Sequence, residues 1–297
     1  MTSKIMVKYK YEQGLIEESF ADYLADPALS QSQLKQLNEL TPRQFWYNNL
    51  SPDREVEEPT DAMKLGSAVH MATLEFQKFK DEYVEDRTKD FNKTYKVQKA
   101  QYEEWKLSVE GKSLITKSDM TMVLRMRDAL LSKKVWRILC RNGYSERSLY
   151  WKDPLTGIVC KARMDYFIEP CEAYPNGLIL DLKTTANASK AEFSKSIYNY
   201  GYYNQLAWYS EGVRVKYDRE EYPKFIFCAI EKKRPYDSNF FNGTQLMLRI
   251  GLMENKKLLN LFADCKNNDR WPGYLDQVQD IDLPMWTIDK FNFEEEL

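Results

Sequence analysis

The amino-acid sequence predicts a mixed α/β fold, a central mixed β-sheet flanked by helices. Three runs with strand character follow one another between residues 148 and 185. A fourth run, KFIFCAIE (224–231), is apolar almost throughout, as a strand buried on both faces should be. Helical periodicity precedes these runs, separates the third from the fourth, and follows the last. That order favours one mixed-sheet unit over two independent ones. Residues 1–297 are therefore read as a single domain, with an N-terminal helical and loop region at 1–60 and a C-terminal extension at 266–297.

The elements are justified in turn. The segment PDREVEEPTDA (52–62) is polar, acidic and proline-containing, and reads as an exposed loop. DAMKLGSAVHMATLEF (61–76) places Leu65, Ala68, Val69, Ala72 and Phe76 at helical spacing. Residues 86–113 are rich in lysine, with Phe91, Tyr95, Tyr102 and Trp105 interleaved. A helix is expected over 118–140, capped by Ser118, with a buried stripe of Met120, Val123, Leu124, Leu131, Val135 and Leu139. Then the period changes. SLYWK (148–152), the turn DPLTG (153–157) and IVCKARMDYFI (158–168) form a predicted hairpin, and EPCEAYPNG (169–177) turns into the strand LILDLKTT (178–185). Helices are expected over 188–213 and 243–264.

Composition removes several function classes. Charged residues make up 30% of the chain but nearly cancel, leaving a formal charge of −2, so nucleic acid could be held only by a local basic patch or with the help of metal. Aromatic residues, at 14%, and hydrophobic ones, at 43%, suffice for a substantial core. The five cysteines contain no C-x-x-C pair, which points to a reducing compartment. No apolar h-region opens the chain and no run approaches the roughly 18 apolar residues of a membrane span, so a cytoplasmic protein without a membrane partner is expected. The single histidine, His70, rules out a multi-histidine zinc site. Chemistry must rest mainly on carboxylates and lysine.

The pattern [DE]-x-K recurs at 104–106, 110–112, 231–233, 254–256 and 264–266, mostly in helical or loop-like surroundings. The copy Asp181-Leu182-Lys183 differs, because it lies inside an apolar strand. Side chains there alternate between faces, so Asp181 and Lys183 share one face about 7 Å apart at roughly 3.3 Å per residue, while Leu182 points into a core. Burying such charges costs desolvation energy and calls for a partner. Asp165, which ends the preceding hairpin strand, is the natural one. Two carboxylates brought together repel, which makes the site receptive to a divalent cation. A buried Asp–Lys ion pair that merely satisfies itself is the bland alternative.

Four segments in order, LGSAVH (65–70), KARMDY (161–166), ILDLKTT (179–185) and YGYYNQLAWY (200–209), together resemble the RecE-type, exonuclease VIII-like branch of the PD-(D/E)XK nuclease superfamily. The likeness begins near Leu29, where LSQSQLKQLNELTPRQF is similar to the family's N-terminal helix, and runs to about residue 265. It implies a PD-(D/E)XK nuclease core and a metal-dependent exodeoxyribonuclease. By this resemblance Asp165 and Asp181 bind the catalytic metal with the Leu182 carbonyl, His70 is a further ligand, and Lys183 orients or deprotonates the attacking water. Gln205 and Tyr209, one helical turn apart, match a Q-x-x-x-Y motif that contacts the scissile phosphate or supports the carboxylates. Glu146 is a candidate additional carboxylate. The implied cofactor is Mg²⁺, with Mn²⁺ able to substitute.

The implied activity is 5′→3′ digestion of linear double-stranded DNA from its ends, leaving a 3′ overhang for a single-strand annealing recombinase in a bacterial or phage-infected cell. A tetrameric ring is also implied; Trp271, Pro272 and Trp286 are candidate interface residues or, equally, packing within one subunit. Lys89, Lys93, Lys96 and Lys99, and separately Lys232, Lys233 and Arg234, are candidate DNA contacts. The rivals are a PD-(D/E)XK nuclease with another end or strand preference and a non-catalytic DNA-binding subunit on the same fold. A four-cysteine iron–sulfur variety finds no ligand spacing here.

Overall fold

The computed structural model describes residues 12, 14–55, 58–91, 94–284 and 287. The N-terminal part carries α1 (Phe20–Ala25), β1 (Leu29–Ser30), α2 (Gln31–Glu39), α3 (Pro42–Asn49), α4 (Asp61–Leu74) and α5 (Phe76–Glu82). Next come β2 (Tyr83–Glu85), α6 (Lys96–Ser108), β3 (Ser113–Ile115), α7 (Lys117–Ser132) and α8 (Lys134–Leu139). The sheet region follows as β4 (Tyr144–Lys152), β5 (Val159–Ile168), β6 (Leu178–Thr185), α9 (Lys190–Asn199), α10 (Tyr202–Lys216), β7 (Lys224–Glu231), β8 (Ser238–Asn242) and α11 (Gln245–Asn267). The helix starts are chemically specified. Ser30 and Thr41 each form a capping box, with Gln33 and Gln44, and Pro42 occupies the first turn of α3.

The mixed sheet expected from sequence is present, with six strands. β4–β5, β5–β6 and β7–β8 pair antiparallel, whereas β6–β7 pairs parallel over Leu178–Thr185. β4 lies along one edge of β5 for nearly its whole length. The opposite edge is therefore divided. β1 pairs there at Cys160 and Lys161, and β6 at Tyr166 to Ile168. Between those stretches this edge of β5 has no strand beside it among the described residues, and the functional groups collect at this break.

Strand alternation sorts the core onto two faces. Leu178, Leu180, Leu182, Ile226, Cys228 and Ile230 pack with α4 and α7 residues such as Val69 and Met126. Ile179, Phe225, Phe227 and Ala229 pack on the other side with Phe193, Leu206 and Val213 of α9 and α10. No helix among the described residues is long and apolar enough to cross a membrane.

Several expectations require correction. The helix expected over 118–140 is broken at Lys133, whose backbone is extended (φ −70°, ψ 127°), and Thr116 rather than Ser118 caps it by accepting the Asp119 N–H. The helical stretch over 188–213 is two helices meeting at Gly201, which sits at φ 67°, in the left-handed region where a side chain is strained. β4 begins four residues before the predicted SLYWK run. Asp165 lies within β5 rather than at its end. Trp271 packs inside the chain, 5.8 Å from both Phe45 and Phe262. Lys93 and Trp286 lie outside the described residues.

Candidate active site

The site begins with a rung that fails to form. In the β4–β5 register Ser145 opposes Tyr166 and Arg147 opposes Met164, which sets Glu146 against Asp165. Glu146, however, has φ 50°, a conformation that a non-glycine residue rarely adopts without reason. The two flanking rungs form and this one does not. The β5 side chains change face at the same point. Cys160, Ala162 and Met164 lie on the α10 side, while Tyr166 and Ile168 lie on the α4 side. This local distortion aims the Glu146 and Asp165 carboxylates together.

The β5–β6 ladder stops at the same level, after Tyr166 opposes Leu180. Beyond that rung the Leu182 N–H donates to Asp165 Oδ2 at 2.7 Å, so a side chain takes the place of a backbone acceptor. The Leu182 side chain is fully buried in the α4-side core, and its peptide borders the break. Asp181 and Lys183 share the opposite face of β6, as the two-residue period requires. Lys183 Nζ lies 2.9 Å from Asp181 Oδ1 and 2.7 Å from Oδ2.

Helices close the site from two sides. His70 on α4 places Nδ1 3.5 Å from Asp165 Oδ1. From α10, Gln205 Nε2 donates to Asp181 Oδ1 at 3.0 Å, and the Tyr209 hydroxyl bonds Gln205. Burial pushes the Tyr209 phenol well up, so it remains protonated. Trp208 anchors α10 to β5, beside the β1 pairing, by donating its indole N–H to the Lys161 carbonyl at 3.0 Å. The structure thus brings His70, Glu146, Asp165, Asp181, Lys183, Gln205 and Tyr209 to one place. Lys89, Lys96 and Lys99 are exposed on and beside α6. Lys232, Lys233 and Arg234 follow β7, where the Lys232 N–H donates to Thr185 at the end of β6.

Sequence reasoning missed two partners. Arg163 donates through Nε to Glu146 Oε2 at 3.0 Å, and Tyr202 lies under Lys183, whose Nζ is 4.8 Å from the ring centroid. Only the hairpin register could have signalled the first, since Arg163 and Asp165 flank the residue opposite Arg147.

Electrostatics follow from these contacts. Each carboxylate has its own cation: Arg163 with Glu146, His70 with Asp165, and Lys183 with Asp181. Burial alone would lower the His70 pKa, but the charge of Asp165, its hydrogen bond and the charge of Glu146 outweigh burial and raise it to about 9. Burial would raise Asp165, yet His70, Lys183 and the Leu182 N–H hold it below the usual carboxylate range. Glu146 is pushed up to about 7 by burial and by Asp165, against the pull of His70 and Arg163. Burial is also the main cause that raises Asp181 to about 6, with Asp165 adding to it and Lys183 opposing. Lys183 is raised despite burial, because Asp181 and Asp165 face it, and so it stays an ammonium.

The donor set fits a divalent cation. Ligand atoms of His70, Glu146 and Asp165 lie within 4.8 Å of one another. Imidazole with carboxylates suits Mn²⁺ or a similar ion, and carboxylate oxygens suit Mg²⁺. Asp181 stands outside that trio, turned toward Lys183. Its Oδ2 is buried and makes no hydrogen bond of acceptable angle, even though Lys183 Nζ is 2.7 Å away. The short ion contact is real electrostatic compensation, but it leaves lone-pair capacity on that oxygen.

Comparison with known proteins bears on the family and the fold. Residues 30–284 match the family described as PDDEXK-like domain of unknown function (DUF3799). A crystal structure from Eubacterium rectale, of a protein provisionally named an exonuclease, superposes with a TM-score of 0.61 at 16% identity. That match covers 93% of this chain and 99% of the other, a likeness of fold. SSO0001, a second solved structure, matches at 12% identity and a TM-score of 0.30 over 67% of this chain and 85% of its own, too weakly to carry an argument. No curated protein matches.

Proposed function

We propose, for a chain that belongs to the family of PDDEXK-like domains (DUF3799), that it is a divalent-metal-dependent exodeoxyribonuclease. One observation carries the reading. Asp181 and Lys183 share a strand face beside Asp165 where β5 and β6 part, so carboxylates and an ammonium converge on an opening in the sheet.

His70, Glu146 and Asp165 would hold the ion, and the motif resemblance adds Asp181, through the lone-pair capacity left on its Oδ2, and the Leu182 carbonyl. A bound divalent cation would lower the pKa of water and neutralise charge on a phosphodiester. The chain's own residues do the rest. Lys183, held as an ammonium, orients the attacking water and balances charge developing on the phosphate oxygens. Its raised pKa favours this role over that of general base. Gln205 fixes the Asp181 carboxylate, and Tyr209 fixes Gln205. The water oxygen bonds to phosphorus and gives up a proton to solvent, the P–O3′ bond breaks, the 3′ oxygen leaves as a hydroxyl by taking a proton from solvent, and a 5′-phosphate results.

The finer reading follows the motif resemblance: 5′→3′ digestion of linear duplex with Mg²⁺, Mn²⁺ substituting, to give 3′ overhangs for a single-strand annealing recombinase in the cytoplasm. A net charge of −2 supports a ring that encircles the duplex, because bulk electrostatics would hold DNA weakly. We further propose that the chain acts as one domain, with 266–297 as an extension, and assembles as a closed tetramer. Lys89, Lys96 and Lys99 and the turn at Lys232–Arg234 are proposed phosphate contacts. Duplexes labelled at the 5′ or the 3′ end test polarity: 5′→3′ digestion releases the 5′ label first and spares covalently closed circles. Release of the 3′ label first, or nicking of circles, contradicts it. A non-catalytic DNA-binding subunit is the second reading, favoured by the internal pairing of every carboxylate. DNA binding without chelator-sensitive cleavage would select it.

A further inference from the structure

A pair of tyrosines leads outward from the catalytic lysine. Lys183 Nζ lies 4.8 Å from the Tyr202 ring centroid, and the Tyr200 ring stacks on Tyr202 at 5.5 Å with 30° between planes. Tyr202 is backed by Phe193 at 6.3 Å and Phe227 at 6.5 Å, so it cannot tip away from the lysine without disturbing the core. Tyr200, by contrast, is 57% exposed. It caps the C-terminus of α9 and Tyr202 begins α10, with only Gly201, at φ 67°, between them. The positions of the two rings are therefore set by a helix elbow and by their stacking on each other. A large aromatic surface left open to water beside buried charges contributes little to the core, so the fold gains little by keeping it there.

We propose that Tyr200 and Tyr202 form an aromatic step that stacks the nucleobase adjoining the phosphodiester being cut. The proposal rests on the nuclease reading, which puts that phosphate at Asp181 and Lys183. A nucleoside attached to a phosphate there has to lie within one nucleotide of it, and the step occupies that range. Every base offers a π-face, so stacking holds a strand end without regard to sequence. This supplies affinity that the chain's near-zero net charge does not. Tyr200 and Tyr202 are positioning residues for the substrate and take no part in bond breaking.

The test uses the full chain. A duplex carrying aminopurine at its terminal position is titrated with wild type, Tyr200→Ala and Tyr200→Phe in chelator, and the same proteins are assayed with Mg²⁺ on ordinary ends and on ends with an abasic residue. Wild type and Tyr200→Phe should quench the aminopurine, and Tyr200→Ala should not. In cleavage, Tyr200→Ala should raise KM about tenfold, in the range of one base–aromatic stack, with kcat within about twofold. The abasic end should cost wild type the same factor and cost Tyr200→Ala nothing more. Equal quenching by all three proteins, or equal loss on both ends, overturns the step. So does a change of mass by light scattering in Tyr200→Ala, which would give this face to a second copy. If wild type cleaves nothing yet its quenching needs Tyr200, the nuclease reading fails and the stacking stands; cleavage without Tyr200-dependent quenching sinks the stacking alone.

Discussion

Replacing His70 by glutamine tests the charge balance of the metal-free site. The imidazole faces Asp165 at 3.5 Å, with Glu146 and Lys183 close enough to act on its charge, and it is raised to about 9. A group raised in the folded state contributes stability that is complete below its ordinary pKa of 6.5 and is lost as pH climbs through the folded value. The gap of roughly 2.5 pH units corresponds to at most ~3.4 kcal/mol at 1.36 kcal/mol per unit. Water reaches the ring, whose side chain is 25% exposed, and screening reduces the expected effect to ~1–3 kcal/mol. Glutamine keeps a polar partner for Asp165 but cannot titrate. Thermal melts in chelator should therefore show wild type gaining most over His70→Gln below about pH 6.5, with the advantage shrinking through pH 9. At roughly 2–4 °C per kcal/mol, the change is several degrees. A difference that stays flat across that range would refute the reasoning.

Three further outcomes follow from the same geometry. Because His70 must shed its proton to ligate, apparent affinity for Mn²⁺ should rise up to about tenfold per pH unit between roughly pH 7 and 9, measured by calorimetry, and this slope should vanish in His70→Gln. Asp181→Asn and Lys183→Met should each lower DNA cleavage by about two to three orders of magnitude with circular dichroism unchanged; metal affinity should weaken only in the first, since Lys183 is a cation beside the ligands. Gly251→Ala should destabilise the protein by ~1–3 kcal/mol in urea unfolding, because an added Cβ would lie 2.5 Å from the Tyr203 carbonyl oxygen and 2.7 Å from Ala207 Cβ, forcing α11 off α10.

The parts of the molecule legible in sequence were those governed by local rules. β6 and β7 match the runs 178–185 and 224–231 because each is bounded by turns and carries an apolar stretch, nearly unbroken in KFIFCAIE and interrupted in LILDLKTT by Asp181 and Lys183. Asp181 and Lys183 share a face by the two-residue period alone. By contrast, β8, SNFFN, has a mixed pattern that only pairing with β7 makes a strand. The break at Lys133 has no Gly or Pro to announce it, whereas Gly201 was a signal that the helical period masked. Long-range contacts divided the same way. The rung opposing Lys152 and Val159 would have placed Glu146 across from Asp165 had the hairpin been counted outward from its turn. No such counting brings His70 to Asp165, since α4 reaches the sheet through packing of Ala68, Val69 and Ala72. That pairing rested on resemblance, and the Lys183–Tyr202 contact required the folded chain.

The most direct test of the central claim is hydrolysis of linear duplex DNA by wild type and Asp181→Asn, with Mg²⁺ and with chelator, followed by analysis of the product ends. Asp181 is 1% exposed and bonded to Lys183 and Gln205, so its amide isostere removes the charge with little change of shape. The account predicts mononucleotides bearing 5′-phosphates from wild type with Mg²⁺ alone, and none above background from Asp181→Asn or in chelator. Equal digestion by the two proteins, or digestion that persists in chelator, would contradict it.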